Sequence, residues 1–380
     1  MTTHRVRAVA ASGCLAIAAL TLSDCGASPP STHMKPSVAT SAENMGGMDQ
    51  LIAAAKREGS LNAMFVPRDW AGYGALIDGF EKKYGIKVRD EDPGATVPVV
   101  INAVKSRKHQ ANAPDVIGLG DTYMSAAARQ NLLAPYRVAT YDAIPNSQKD
   151  PQARWANNYG GYISIGCDAK RITQCPQTFA DLLKPQYKGK VALNAGDPNT
   201  SSSGFAAVYA AALANKGSFD DIQPGLDFFA KLKKAGNFDP VGATTATVEN
   251  GQTPININWD FLNLNYAHEL RSKGVYWQVS IPFDGSFTQY FAVAVNKYAP
   301  HPAAARLWME WLFSTEGQNL RLYGYARPVL MDAMEKDGTL DKAAAARLPT
   351  VEGTPQFPTD TQLEKAKAVV ARGWAKAISS

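Results

Sequence analysis

The residues best placed by type and spacing to do chemistry fall in a few short stretches. Asp197-Pro198-Asn199-Thr200-Ser201-Ser202-Ser203-Gly204 leads straight into an Ala-rich helical pattern beginning near Phe205. A helix start offers free backbone N–H groups and a partial positive charge, so it favours an anion. Hydroxyls of Ser201, Ser202 and Ser203 would add donors, and Gly204 would allow close approach to the backbone. Ordinary N-capping accounts for the same residues without a ligand. Trp259-Asp260 ends a strand-like run. An aromatic face beside a carboxylate suits a cationic amine, through cation–π contact and a charge-assisted hydrogen bond. The alternative is that Trp259 packs between two halves of the molecule and Asp260 caps a following helix. Trp70, Asp121-Thr122 and Tyr290 occupy comparable loop or crossing positions and complete the candidate set. An anion cradle together with an aromatic–carboxylate wall points to a zwitterion, such as an amino-phosphonate or amino-carboxylate.

Catalytic and metal chemistry find little support. The chain has no Gly-x-Ser-x-Gly elbow, no His-Glu-x-x-His and no Gly-x4-Gly-Lys-Ser/Thr loop. Gly118-Leu119-Gly120 lacks the third glycine of a dinucleotide loop. His4, His33, His109, His268 and His301 are scattered, without metal-ligand spacing. No catalytic residue, metal ligand or cofactor is therefore assigned.

The elements that would position these stretches alternate between helix and strand. Met48 to Glu58 reads as an amphipathic helix stopped by Gly59, Leu61 to Val66 as a strand, and Gly74 to Tyr84 as a helix capped by Asp69. Ile86–Val88 and Asp115–Leu119 follow as strands, with a helix around Val97 to Arg107 between them and another opening at Asp121. After a flexible stretch, Asn157 to Tyr162, the order repeats. Ile163–Ile165 (strand), Thr178–Leu183 (helix), Lys190–Leu193 (strand), the helices Gly204–Ala214 and Asp220–Ala235, and the strand Thr253–Trp259 make a second series. A second interruption, Phe283 to Ser286, precedes a strand over Tyr290–Val295 and a helix over Pro302–Phe313. Such alternation indicates an α/β fold with largely parallel sheets. A chain of 380 residues exceeds one hydrophobic core. Two crossings therefore suggest two lobes, 48–158 with 290–325 and 159–289 with 326–380. Ligands of open α/β sheets sit at the carboxyl ends of the strands, so the candidate loops would face one cleft.

The first residues carry an export pattern. Arg5 and Arg7 precede an apolar run from Ala8 to Leu22, too short to span a bilayer and shaped like a secretory signal over 1–24. Leu22-Ser23-Asp24-Cys25 resembles a lipobox, which would put a lipid anchor on Cys25, although Asp24 departs from the small residue expected there. Residues 25–47, rich in Ser, Pro, Thr, Ala and Gly, read as a flexible tether. The formal charge is +5, and removing the leader's net +1 leaves a mild +4 with no basic block for nucleic acid. Cys167 and Cys175, eight positions apart in an oxidising compartment, are candidates for a disulfide; two buried thiols are the other reading.

Three segments carry a resemblance. Thr178 to Val191 contains Asp181-Leu182-Leu183, Pro185 and Tyr187-Lys188-Gly189-Lys190-Val191. Pro302 to Gln318 reads PAAARLWMEWLFSTEGQ, and Arg327-Pro328-Val329 follows. In this order they resemble bacterial extracellular solute-binding proteins of ABC importers, in the branch serving iron(III), polyamines, thiamine and phosphonates. The resemblance implies a two-lobed type II periplasmic-binding clamshell, a monomer that captures a small polar solute by lobe closure and delivers it to a membrane permease. A Ser-Gly helix start holds an anion in the iron(III) branch, which implies that role for Ser202, Ser203 and Gly204. The paired tyrosines of iron(III) relatives are missing, and Thr288-Gln289-Tyr290 stands where polyamine relatives carry a carboxylate. An amine or zwitterion is thus expected ahead of iron(III), and a clamshell that reports ligand to a membrane receptor is the other use of the same fold.

Overall fold

The computed structural model describes residues 33–194, 196–351 and 356–379, and only the backbone at Asp121 and Thr122. The expected leader and Cys25 lie outside the described residues. Residues 34–380 form one compact unit.

The chain opens with alternating elements: α1 (Met48–Glu58), β1 (Ser60–Met64), α2 (Tyr73–Tyr84), β2 (Lys87–Asp90), α3 (Val97–Ser106), β3 (Val116–Gly120), α4 (Asp121–Arg129) and β4 (Leu133–Ala134). The long strand β5 (Ala156–Asp168) then leads to β6 (Val191–Leu193), α5 (Ser202–Ala214), α6 (Gln223–Lys234), α7 (Thr245–Asn250), β7 (Ile255–Trp259), α8 (Asp260–Glu269) and β8 (Trp277–Ser280). The chain returns through β9 (Thr288–Asn296), α9 (Pro302–Leu312), α10 (Thr315–Tyr323), β10 (Arg327–Pro328), α11 (Met331–Lys336) and α12 (Lys342–Ala345), and ends in α13 (Asp360–Ser379).

Strand order is β2-β1-β3-β9-β5-β7-β6. β1 runs parallel to β2 and β3, and β6 runs parallel to β7. β9 is antiparallel to both β3 and β5, and β5 is antiparallel to β7 and β8. The sheets are therefore mixed, parallel only toward the outer strands, because returning segments rather than βαβ crossovers supply the central ones. β5 joins the two halves. Residues 156–162 pair with β9, and residues 163–168 pair with β7 and β8.

All thirteen residues of β5 are buried. The expectation of a flexible stretch at Asn157–Tyr162 thus fails. Its asparagines find partners inside: Asn157 donates to Gln148 (2.7 Å), Asn158 donates to the Leu312 carbonyl (3.1 Å), and Arg321 donates to Asn158 (2.8 Å). Gly161 is required by close packing, since a Cβ there would lie 2.6 Å from both Asp260 Oδ1 and the Phe261 ring. Composition suggested a loop, and satisfied hydrogen bonds made a core strand. At the end of β5, Cys167 and Cys175 are joined by a disulfide.

Further differences have local causes. Thr178–Leu183 forms only a 3-10 turn at Asp181–Leu183, because Pro185 follows closely and Asp181 accepts the amides of Gln177 and Thr178. Helix α2 starts at Tyr73 after Gly72 in a left-handed conformation, so Asp69 is not its cap. Residues 34–47 are no free tether: Ala39, Ala42 and Met45 are buried in the main core, and Arg306 donates to the Ala39 carbonyl (2.8 Å). The tail divides as well. β10 pairs with the first half of β5, and Asp341 beside α12 hydrogen-bonds to Asn319 on α10, so only α13 sits with the second half, on α6.

At the amino ends of β1 and β3, buried Asp115 accepts the backbone N–H groups of Asn62 and His301 (both 2.6 Å). The His301 ring contacts Asp115 through Nδ1 (2.8 Å) and Ser60 through Nε2 (3.2 Å). Glu58 accepts the amides of Ala303 and Ala304 at the start of α9. This polar brace ties α9 to the sheet on the side away from the carboxyl strand ends.

The hydrogen bond to Asp115 raises the His301 pKa above its ordinary value near 6.5. Its contribution to stability is then complete below about pH 6.5 and is lost as pH climbs through the raised value. Thermal melts of the wild type and His301→Ala from pH 5 to 9 should show a gap widest at acid pH that narrows toward pH 9. A gap independent of pH would assign the His301 effect to packing alone.

Candidate functional site

A cavity of about 590 Å³ opens at the carboxyl ends of the strands. Its walls come from both halves. Three helices turn their first residues toward it: Thr96, Val97 and Pro98 of α3, Gly120 and Tyr123 of α4, and Ser201, Ser202 and Phe205 of α5. Each helix is long enough to carry an end charge, and three positive ends on one cavity reinforce each other. At α3 the N-cap residue Thr96 makes no side-chain cap bond, and at α4 the N-cap is Gly120, which has no side chain to offer. At α5 the cap is made: Ser201 Oγ accepts the Gly204 N–H (3.2 Å).

The serine cluster is tied from below. Asn194 donates to Ser203 Oγ (3.0 Å), which lies 3.0 Å from Ser201 Oγ. Ser203 is thus buried scaffold, Ser201 is the cap, and Ser201 and Ser202 reach the cavity wall. Gly204 packs against Pro198, where a Cβ would lie 3.1 Å from Pro198 Cα. Capping thus falls to Ser201, and Ser201 and Ser202 line the cavity.

Apolar and aromatic surface completes the wall, from Phe65, Leu119, Phe205 and Phe291, with the Gln289 amide between. Gly120 is needed for that approach, because a Cβ there would sit 2.8 Å from Gln289 Nε2. The last helix supplies Leu363, Lys367, Val370 and Ala371. Lys367 Nζ lies 3.4 Å from the centroid of the Tyr123 ring.

The other expected contacts sit elsewhere. Trp259 is fully buried, stacked on Phe261 (6.2 Å between centroids) and edge-on to Phe291 (5.7 Å). Trp70 packs on Phe261 (5.5 Å) and Phe291 (5.9 Å). With Tyr159 stacked on Phe291 (5.2 Å), these rings form a knot behind the cavity floor, and of the five Phe291 reaches the wall, beside Phe65. Asp260 is fully buried, and accepts the amides of Tyr162 and Phe261 (3.0 Å each) and an ion pair from Arg327. Its carboxylate is already matched by a cation, so the expected aromatic–carboxylate wall for an amine is instead a brace between α8 and β10. Tyr290 packs on Phe357 (5.7 Å), and burial pushes its hydroxyl up to about 12. Asp121 and Thr122 form the first turn of α4, between the lining residues Gly120 and Tyr123.

The sequence reading missed Thr96 to Pro98, Gln289 and α13. Thr-Val-Pro before an apolar run carries the same helix-start signal as the serines. Nothing local marks Lys367 as a cavity residue, since only the packing of α13 on α6 brings it there.

Two α/β halves sharing one strand, with a polar-ended cavity at the carboxyl ends of strands from both, define a two-lobed solute-binding fold of type II. The profile of the bacterial extracellular solute-binding protein family matches residues 111–351, and the chain belongs to that family. It is a solute-binding component of the ABC-importer class. A periplasmic protein of Salmonella typhimurium named for 2-aminoethylphosphonate binding is 28% identical over 285 residues, 73% of this chain and 80% of that one. The fold is shared with the periplasmic binding protein of A. tumefacien R10 in complex with agropinic acid (TM-score 0.64, 20% identity, 85% of this chain and 99% of that one). It is shared too with the ferric binding protein of Campylobacter jejuni (TM-score 0.63, 16% identity, 83% and 99%).

The Asp260–Arg327 brace makes a prediction distinct from ligand contact. Asp260→Ala leaves Arg327 without its buried partner and should cost about 3 kcal/mol in denaturant unfolding, solute or none. A variant of unchanged stability that had lost solute would return Asp260 to the binding site.

Proposed function

We propose that this protein captures a small zwitterion with a phosphonate or carboxylate head, of the aminoalkylphosphonate type, and delivers it to an ABC permease. The observation that carries the reading is the meeting of three helix N-termini on one cavity. The anionic head would lie among the first-turn amides of α3, α4 and α5, with hydroxyls of Ser201 and Ser202 as further donors. The ammonium would lie against the aromatic faces of Phe65, Phe205 and Phe291. Asp121 and Thr122 enter by position alone, as residues of the first turn of α4. The resemblance to the Salmonella protein supports the same solute class.

Capture works by differential affinity. A solute that touches α3 and α4 on one half and α5 on the other binds the closed arrangement better than an open one, and shifts the population toward closure. The closed form is what the permease would engage. Export through residues 1–24, a lipid anchor at Cys25 and a monomeric state belong to the same proposal.

Calorimetry and thermal unfolding against 2-aminoethylphosphonate, inorganic phosphate, spermidine, an amino acid panel and iron(III) citrate test the reading. A true solute at a hundredfold excess over its Kd should add about 2.7 kcal/mol of stability. Ser202→Glu, which sets a negative charge at the start of α5, should weaken that binding at least about tenfold while the fold persists. Binding of spermidine or iron(III) alone, indifferent to Ser202→Glu, would overturn it.

A further inference from the structure

The last helix holds a position that transport by two hinged lobes does not require. One side of α13 is anchored to the second half of the molecule. Leu363, Ala366, Val370, Trp374 and Ala377 are buried, and Trp374 meets Phe229 (5.3 Å) and Phe238 (6.0 Å) edge-on. Gly373 presses on α6 so closely that a Cβ would lie 2.5 Å from Leu226 Cδ1. Its first turn is tied to the same half, with Gln362 donating to Asp220 (3.0 Å) and accepting at its carbonyl from the Tyr209 hydroxyl (3.3 Å).

The other side of α13 reaches the first half. Arg129, the last residue of α4, pairs with Asp360 (3.3 Å) and Glu364 (3.2 Å). One turn further along, Lys367 lies over the ring of Tyr123, also on α4. Positions 360, 364, 367 and 371 follow helical spacing, so these groups share one stripe. Leu363, Lys367, Val370 and Ala371 of the same helix line the cavity. The helix thus belongs to one half, grips the other, and walls the site between them.

We propose that α13 is a clasp across the cleft: the Arg129–Asp360/Glu364 pairs fasten the closed form, and Lys367 is a binding residue that meets the anionic end of the solute. The proposal rests on the cavity being the solute site. Solute held under α13 leaves only after α4 parts from it, so the clasp sets residence time as well as affinity. Its ion pairs are solvent-exposed, and such pairs contribute modestly. Breaking them should therefore shift the closed-to-open ratio about three- to tenfold rather than abolish closure. The same exposure makes the effect sensitive to salt.

The test uses the full chain. Arg129→Glu sets a third carboxylate beside Asp360 and Glu364, and adding Asp360→Arg and Glu364→Arg restores the pairing with the charges exchanged. In solute-free protein, small-angle scattering should give a larger radius of gyration for Arg129→Glu and a return toward the wild-type value for the exchanged triple variant. With 2-aminoethylphosphonate bound, stopped-flow dissociation should be about three- to tenfold faster for Arg129→Glu and recover in the triple variant. Lys367→Met should weaken 2-aminoethylphosphonate at least about tenfold. A radius and an off-rate indifferent to Arg129→Glu, or a triple variant that fails to recover, would overturn the clasp. If 2-aminoethylphosphonate does not bind but the radius responds as described, the clasp stands and the solute assignment falls.

Discussion

The structure depends on β5. It is the strand that both halves share: its first part completes the sheet of β1, β2, β3 and β9, and its second part starts the sheet of β6, β7 and β8. A strand buried along its whole length has to satisfy every backbone polar group through its ladders. β5 does this by changing neighbours midway, from β9 to β7 and β8. The orientation of one half against the other is therefore set by a continuous backbone ladder rather than by a loose linker.

Around that strand the polar groups divide into braces and site. Asp260 with Arg327, Arg321 with Asn158, and Asp115 with His301 are all internal pairs that hold elements in register. Their carboxylates and guanidinium groups are already neutralised or hydrogen-bonded, so they offer a solute little. The proposed site uses backbone instead. Helix ends carry charge without any ionisable side chain, so an anion can be desolvated there without a buried cation that would be left unpaired when the cavity empties. Lys367 of α13, held over the Tyr123 ring, adds a cation to the cavity wall.

Function in this class follows from geometry that two halves create together. Neither α3 and α4 nor α5 alone surrounds a molecule. The aromatic knot of Trp70, Tyr159, Trp259, Phe261 and Phe291 packs apolar rings behind them. An apolar floor strengthens polar contacts at the rim, which suits the proposed capture of a small polar molecule.

Much was legible in the sequence because it is local. Helical period, the glycine stops after α1 and α2, and the Ser-rich start of α5 are properties of a few adjacent residues, and each emerges in the structure near its expected bounds. The family resemblance was legible for the same reason, carried by short segments in order. What sequence alone could not decide is which partner each polar or aromatic residue finds. Trp259-Asp260 looked like a ligand wall, yet Arg327, 67 residues on, takes the carboxylate, and Phe261 and Phe291 take the ring. Asn157 to Gly161 looked like a loop, yet Gln148, Leu312, Arg321 and Asp260 make it a buried strand. Local chemistry sets what a residue offers; long-range packing, which no window of sequence contains, sets what accepts the offer.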